Sequence, residues 1–98
     1  MIYLIATLKI RPGTAAEVAA AAAPCIEGTR KEPGCVSYDL HASLTDPATL
    51  VFVERWKTQA DIDAHMKMPH FLAWREKAKD LILGRELEII TPADVKKM

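Results

Sequence analysis

The chain has 98 residues, half of them apolar, and its thirteen basic side chains balance thirteen acidic ones. A length of this order makes one domain that buries only about two-thirds of its unfolded surface, so it folds with little to spare or gains stability by associating. The neutral balance offers no positive field for nucleic acid or an anionic membrane, and no apolar run is long enough to span a bilayer.

Residues 2–11 read as a strand: Ile2, Leu4, Ala6, Leu8 and Ile10 make one apolar face, while Tyr3, Ile5 and Thr7 leave the other semi-apolar. The segment has no basic stretch before it and no small-residue cleavage site after it, so it is read as a strand and not as a signal peptide. Pro12-Gly13 ends it. Thr14 to Glu17 has the spacing of a capping box, and the helix that follows carries Ala15, Val18, Ala19, Ala22, Ile26 and Thr29 on one stripe. Pro24 predicts a kink inside it, and Glu32-Pro33-Gly34 stops it. Residues 35–43 and 48–57 form a hairpin around Leu44-Thr45-Asp46-Pro47. On the first of these strands Val36, Tyr38, Leu40 and Ala42 share a face, with Cys35, Ser37, Asp39 and His41 opposite; on the second, Leu50, Phe52, Glu54 and Trp56 share one. Thr58 to Asp61 signals a short helix to about residue 67, and Pro69 starts another with Phe71, Trp74, Ala78, Leu81 and Ile82 inward and Gly84 at its end. Residues 85–91 make a fourth strand before a polar tail, 92–98.

The order is βαββαβ with the second helix broken at Met68-Pro69. That predicts a single α+β domain over residues 1–98, a ferredoxin-like four-stranded antiparallel sheet with helices on one face. The second sheet face is too apolar to meet water: Tyr3, Ile5, Val51, Val53 and one set from the last strand, Leu87 with Ile89 or else Ile90, lie there. A homodimer with two sheets packed face to face is the economical solution. Cys25 and Cys35 match no metal or redox spacing and read as two reduced thiols in a cytoplasmic protein.

Residues 32–74 hold all three histidines, both tryptophans and Glu54, a carboxylate inside an apolar strand. Glu54, between Phe52 and Trp56, either pairs with a buried base or sits in a pocket with a raised pKa, acting in proton transfer or orienting a histidine. His65, beside Ile62 and Met66, is either a satisfied structural residue or a base. Phe52, Trp56, Phe71 and Trp74 are core or cavity wall, and Met66 is filler or adaptable pocket lining. His65 and His70 stand five apart with no acidic or cysteine partner at helical spacing, so no metal site is expected.

The run P-G-C-x-S-Y-x-L-H, then D-P-x-x-x-x-x-x-E-R-W, then D-x-H-M-x-x-P-H-F resembles the antibiotic biosynthesis monooxygenase family of dimeric α+β-barrel proteins, in the right order over nearly the whole chain. It is similar above all to small stand-alone members of the quinol monooxygenase and autoinducer-2-processing kinds. The resemblance implies a homodimer, a cavity between sheet and helices in each subunit, and oxidation of quinol-type or polyketide-like phenols by O₂ without metal or flavin. The family pattern matches at His41, Glu54, Trp56, His65, His70 and Phe71. No Asn occurs in the chain, which departs from the haem-degrading branch and from the polyketide oxidisers.

Such chemistry needs a base near neutrality, a donor for the substrate anion and a dry aromatic pocket. The expectation is His65 as base with His41 second, Glu54 orienting a histidine or Trp56, and Trp56, Phe52, Phe71, His70 and Met66 around a small aromatic or carbonyl substrate. Two other functions fit the same residues: an isomerase moving a proton on an enolisable carbonyl, and a non-catalytic dimeric ligand-binding or stress-response module. Convergence of His41, His65, Glu54 and Trp56 on one cavity favours an enzyme; scatter favours the module.

Overall fold

Alternating apolar residues and turn signals produce seven elements. In the computed structural model, which describes residues 1–98, they are β1 (Ile2–Ile10), α1 (Ala15–Arg30), β2 (Cys35–Ala42), β3 (Thr49–Trp56), α2 (Gln59–His65), α3 (Pro69–Ala78) and β4 (Ile82–Ile90). The strands form one antiparallel sheet in the order β2-β3-β1-β4. This is the expected ferredoxin-like arrangement, with the second helix in two pieces.

Register decides which side chains meet the helices. Leu4, Glu54 and Tyr38 stand in one row across β1, β3 and β2, and Ala6, Phe52 and Leu40 stand in the next. Val18, Ala22, Cys25 and Thr29 of α1, Ile62 of α2 and Trp74 and Ala78 of α3 close over these rows. The α1 stripe therefore differs from the one expected: Ala19 is exposed and Cys25 is buried. A run of alanines has no contrast to reveal its inner face, whereas Val18, Ala22, Cys25 and Thr29 keep the helical period.

Helix ends follow local chemistry, with one exception. Thr58 caps α2: its Oγ1 accepts from the Asp61 N–H at 3.2 Å and donates to Asp61 Oδ2 at 2.8 Å. Pro69 starts α3 at a position where no N–H is needed. The capping box at Thr14 does not form. Thr14 has φ −109° and ψ 10°, and its hydroxyl turns back to donate to the Arg11 carbonyl at 2.6 Å. α1 runs through Pro24, which is exposed.

The α3–β4 boundary falls earlier than the sequence suggests. α3 stops at Ala78, so Leu81 and Ile82 are not on its inner stripe, and Gly84 lies within β4 opposite Lys9. Pairing of Ile82 with Ile10 at the end of β1, beside a register shift, wins over continued helix. The same register turns Ile90 to the outer face next to Tyr3, while Leu87 and Ile89 pair with Ala6 and Leu4 on the helix side. The helices pack on β2, β3 and one another, leaving Leu87 44% and Ile89 48% exposed. No helix is long and apolar enough to cross a membrane.

Ile62 is the apolar anchor of the seven-residue α2 and is fully buried. Ile62→Ala should cost about 2–5 kcal/mol, read as a lower midpoint at unchanged m-value in urea denaturation.

Candidate active site

The rows of inward side chains do not fill the space between β1, β3, α2 and α3. A cavity remains, of about 550 Å³ counting its open mouth. Tyr38, Phe52 and Glu54 form its sheet wall, and His65, Met66, Phe71 and Trp74 its helix wall. Exposed Arg75 and Arg85 also border it, beside the uncovered strand β4. The Arg75 guanidinium lies 5.9 Å from the centre of the Phe71 ring.

Glu54 and His65 are the buried acid and base of this cavity. Glu54 is 4% exposed, and its Oε1 accepts from Trp56 Nε1 at 2.9 Å. Its second oxygen has no protein partner, yet no fully buried polar side-chain atom lacks one, so that oxygen meets the cavity. Burial raises the Glu54 pKa to about 7; the Trp56 bond opposes this and the charge of Glu32 adds to it. His65 is 1% exposed and makes its hydrogen bond through Nδ1, so by the same reasoning Nε2 meets the cavity. Burial lowers the His65 pKa against the opposing pull of the Glu32 hydrogen bond. Tyr38, 5.4 Å from His65 between ring centres, has its pKa pushed far up by burial and stays a protonated phenol.

His65 owes its orientation to Glu32. Glu32 Oε2 lies 2.8 Å from His65 Nδ1 and 2.8 Å from His70 Nε2. An ionised carboxylate only accepts, so both nitrogens carry protons and the unprotonated Nε2 of a neutral His65 faces the cavity. Two imidazoles and a carboxylate are also a donor set that cations use. Here the carboxylate oxygen stands between the rings at hydrogen-bond distance from both, and the cluster is held by hydrogen bonds. The site needs Gly28 as well: a Cβ there would lie 2.8 Å from His70 Nδ1.

The structure gathers His65, Glu54, Phe52, Phe71 and Met66 around one cavity and leaves three expected residues outside it. His41 is exposed on the outer sheet face, opposite Val51, because strand alternation turns it away from Leu40. Trp56 is buried behind the cavity, where it holds Glu54. His70 reaches the site only through Glu32. Glu54 orients no histidine; Glu32 does. Sequence reasoning missed Glu32, read only as part of a helix stop, and the wall residue Tyr38. The one available signal for Glu32 was the pair of histidines five residues apart with no anion to share.

The family model for antibiotic biosynthesis monooxygenase matches residues 1–77. The chain belongs to this family. "Putative monooxygenase YcnE" of Bacillus subtilis is 32% identical over 90 residues, covering 92% of this chain and 94% of that one. "Probable quinol monooxygenase YgiN" of Escherichia coli is 29% identical over 102 residues, covering 94% and 98%. An uncharacterized protein of Synechocystis, sll1783, is 33% identical over 81 residues; the chain spans 55% of its length. Among solved structures, the "Putative antibiotic biosynthesis monooxygenase from Nitrosomonas europaea" superposes with a TM-score of 0.90 at 26% identity, covering 96% of this chain and all of that one.

The raised Glu54 pKa is also a statement about stability. The folded chain keeps a proton on Glu54 up to about pH 7 that an unfolded glutamate releases near 4.5. Stability from this group is therefore full below pH 4.5 and is lost as pH rises toward and through 7, by about 3 kcal/mol in all. Glu54→Gln, which keeps an acceptor for Trp56, should abolish that slope and be the more stable protein at pH 8; urea denaturation at pH 5 and pH 8 measures both.

Proposed function

We propose that the protein is a monooxygenase acting with O₂ on a small quinol or related phenol, as a homodimer and with no metal or flavin taking part. The observation that carries this is the pairing of His65 Nε2 with the free Glu54 oxygen on one aromatic cavity, with burial lowering the pKa of the base and raising that of the acid. Family membership and the name of YgiN support the reaction class. The aromatic lining of Phe52, Phe71 and Trp74 suits a small planar ring.

The phenol gives its O–H proton to His65 Nε2. The phenolate passes one electron to O₂, and the phenoxyl radical and superoxide combine at a ring carbon as a peroxide anion. That anion takes a proton back from His65 and becomes a hydroperoxide. The ring carbon loses its hydrogen as a proton, the O–O bond breaks, and water leaves with one oxygen while the other remains as a carbonyl. Glu54, half ionised near neutrality, accepts the ring proton and donates to the leaving oxygen. Tyr38 walls the cavity on the sheet side with its ring, its hydroxyl being turned to Cys25 Sγ of α1 at 3.8 Å. Two free cysteines suit a reducing cytoplasm.

An oxygen electrode with reduced one-ring quinones tests the reading. His65→Gln and Glu54→Gln should each lower kcat by about 10²–10⁴-fold, and turnover should stop without O₂. Turnover that survives anaerobically on a hydroxy-ketone would instead establish proton-transfer isomerisation by the same pair.

The dimer rests on the outer sheet face, where Tyr3, Ile5, Val51, Val53 and Ile90 lie together with no helix over them. Val53→Lys at the centre of that face should convert a dimer into a monomer in sedimentation velocity, with the monomer's far-UV spectrum unchanged.

A further inference from the structure

His65, the base that takes the phenol proton, needs no water channel of its own, because a second imidazole stands on the far side of Glu32. His65 is sealed at 1% exposure and His70 is open at 22%, with the 8%-exposed Glu32 carboxylate between their ring nitrogens. His70 Nδ1 makes no hydrogen bond and is not among buried unpartnered atoms, so it touches solvent. One carboxylate neutralises one imidazolium, and a second positive charge in this pocket would be unpaired.

We propose that Glu32 is a positioning residue and His70 a proton outlet, the two imidazoles sharing one positive charge across the Glu32 carboxylate. This deepens the monooxygenase reading and rests on it for its role in turnover. In the resting cluster the charge sits on His70. When His65 Nε2 takes the substrate proton, His70 releases its Nδ1 proton to water, and Glu32 then balances His65. On reprotonation of the peroxide His65 gives up the Nε2 proton and His70 recovers one from water. Each step moves one proton in and one out, both histidines keep donating to Glu32, and no ring must turn.

Two opposing effects keep the exchange inexpensive. Burial favours charge on His70, while the helix ends favour it on His65, which closes the C-terminus of α2 whereas His70 lies in the first turn of α3. The positive charge of His70 is itself one cause of the lowered His65 pKa. The other groups around His65 are Tyr38 from β2, Glu54 from β3, Arg75 from α3, and Asp61 one turn back on α2. None of these makes a hydrogen bond to either ring.

Ring-nitrogen NMR of histidine-labelled protein tests the exchange without turnover, with His41, on the opposite sheet face from the cluster, as the uncoupled reference and fold control. In the wild type, His65 and His70 should each titrate in two mutually matched steps, with His65 protonated at Nδ1 throughout. His70→Gln should leave His65 a single step with its midpoint raised by on the order of one pH unit. Glu32→Gln should lower that midpoint and mix the His65 tautomers. In turnover, His70→Gln should move the acid limb of kcat/KM upward by the same interval, because the base must be unprotonated. A one-step His65 curve in the wild type, or the same midpoint in wild type and His70→Gln, overturns the exchange whether or not quinol is oxidised. Matched two-step curves in a protein that consumes no O₂ uphold the exchange and overturn the monooxygenase reading.

Discussion

One carboxylate oxygen joins the separate pieces of the helical layer. Glu32 stands in the turn between α1 and β2, His65 ends α2, and His70 lies in the first turn of α3, and Oε2 of Glu32 is 2.8 Å from a ring nitrogen of each. α2 has only seven residues, too few to hold a helix by its own backbone bonds. Its position is set by Ile62 in the core, by Thr58 at its start and by His65 at its end. Breaking a buried charge contact by removing one partner typically costs about 3–5 kcal/mol, so the contact that orients the base also fixes the helix that carries it.

The reactive character of the site and its cost in stability share a cause. Withdrawing Glu54 and His65 from water disfavours the charged form of each, which brings the acid up to about 7 and moves the base below its ordinary value. A solvated pair would stay two units or so apart and fully ionised on the acid side. Glu54 is tolerated in an apolar row because Trp56, two residues on along the same strand face, turns its indole N–H back to Oε1. The tryptophan expected as a substrate wall is thus a support for the acid, and Phe52, Phe71 and Trp74 are left to line the space.

Strand alternation made most of the fold legible in the sequence. Leu4, Ala6, Leu8, Leu50, Phe52, Glu54 and Trp56 all face inward as their period requires, and the break at Met68-Pro69 falls where proline puts it. Where contrast vanished, so did the signal. The alanines of α1 hid the role of Cys25, and Gly84 looked like a helix stop although it pairs within β4. His65 and Glu54 were readable because each is a polar residue set among apolar neighbours on its own element. Glu32 was not, since its value comes from partners 33 and 38 residues away and from nothing beside it. His41 shared the right residue type and lay on the wrong face, a distinction that alternation within β2 already contained.

The broken helix is what lets two nearby histidines serve one carboxylate. In a continuous α-helix, residues five apart are separated by about 140° around the axis, so His65 and His70 would point to different faces. The stop after His65, the turn through Lys67 and Met68 and the restart at Pro69 replace that angle with a corner. Both rings then come to Glu32 from neighbouring helix ends, with ring centres 6.1 Å apart. The corner also fixes the order of exposure, placing His65 against Trp56, Tyr38 and Phe71 and His70 against the bare backbone of Gly28 at the edge of α1. A proline that looks like an interruption of the second helix is therefore the element that gives the cavity a sealed base and a solvent-facing partner on the same anion.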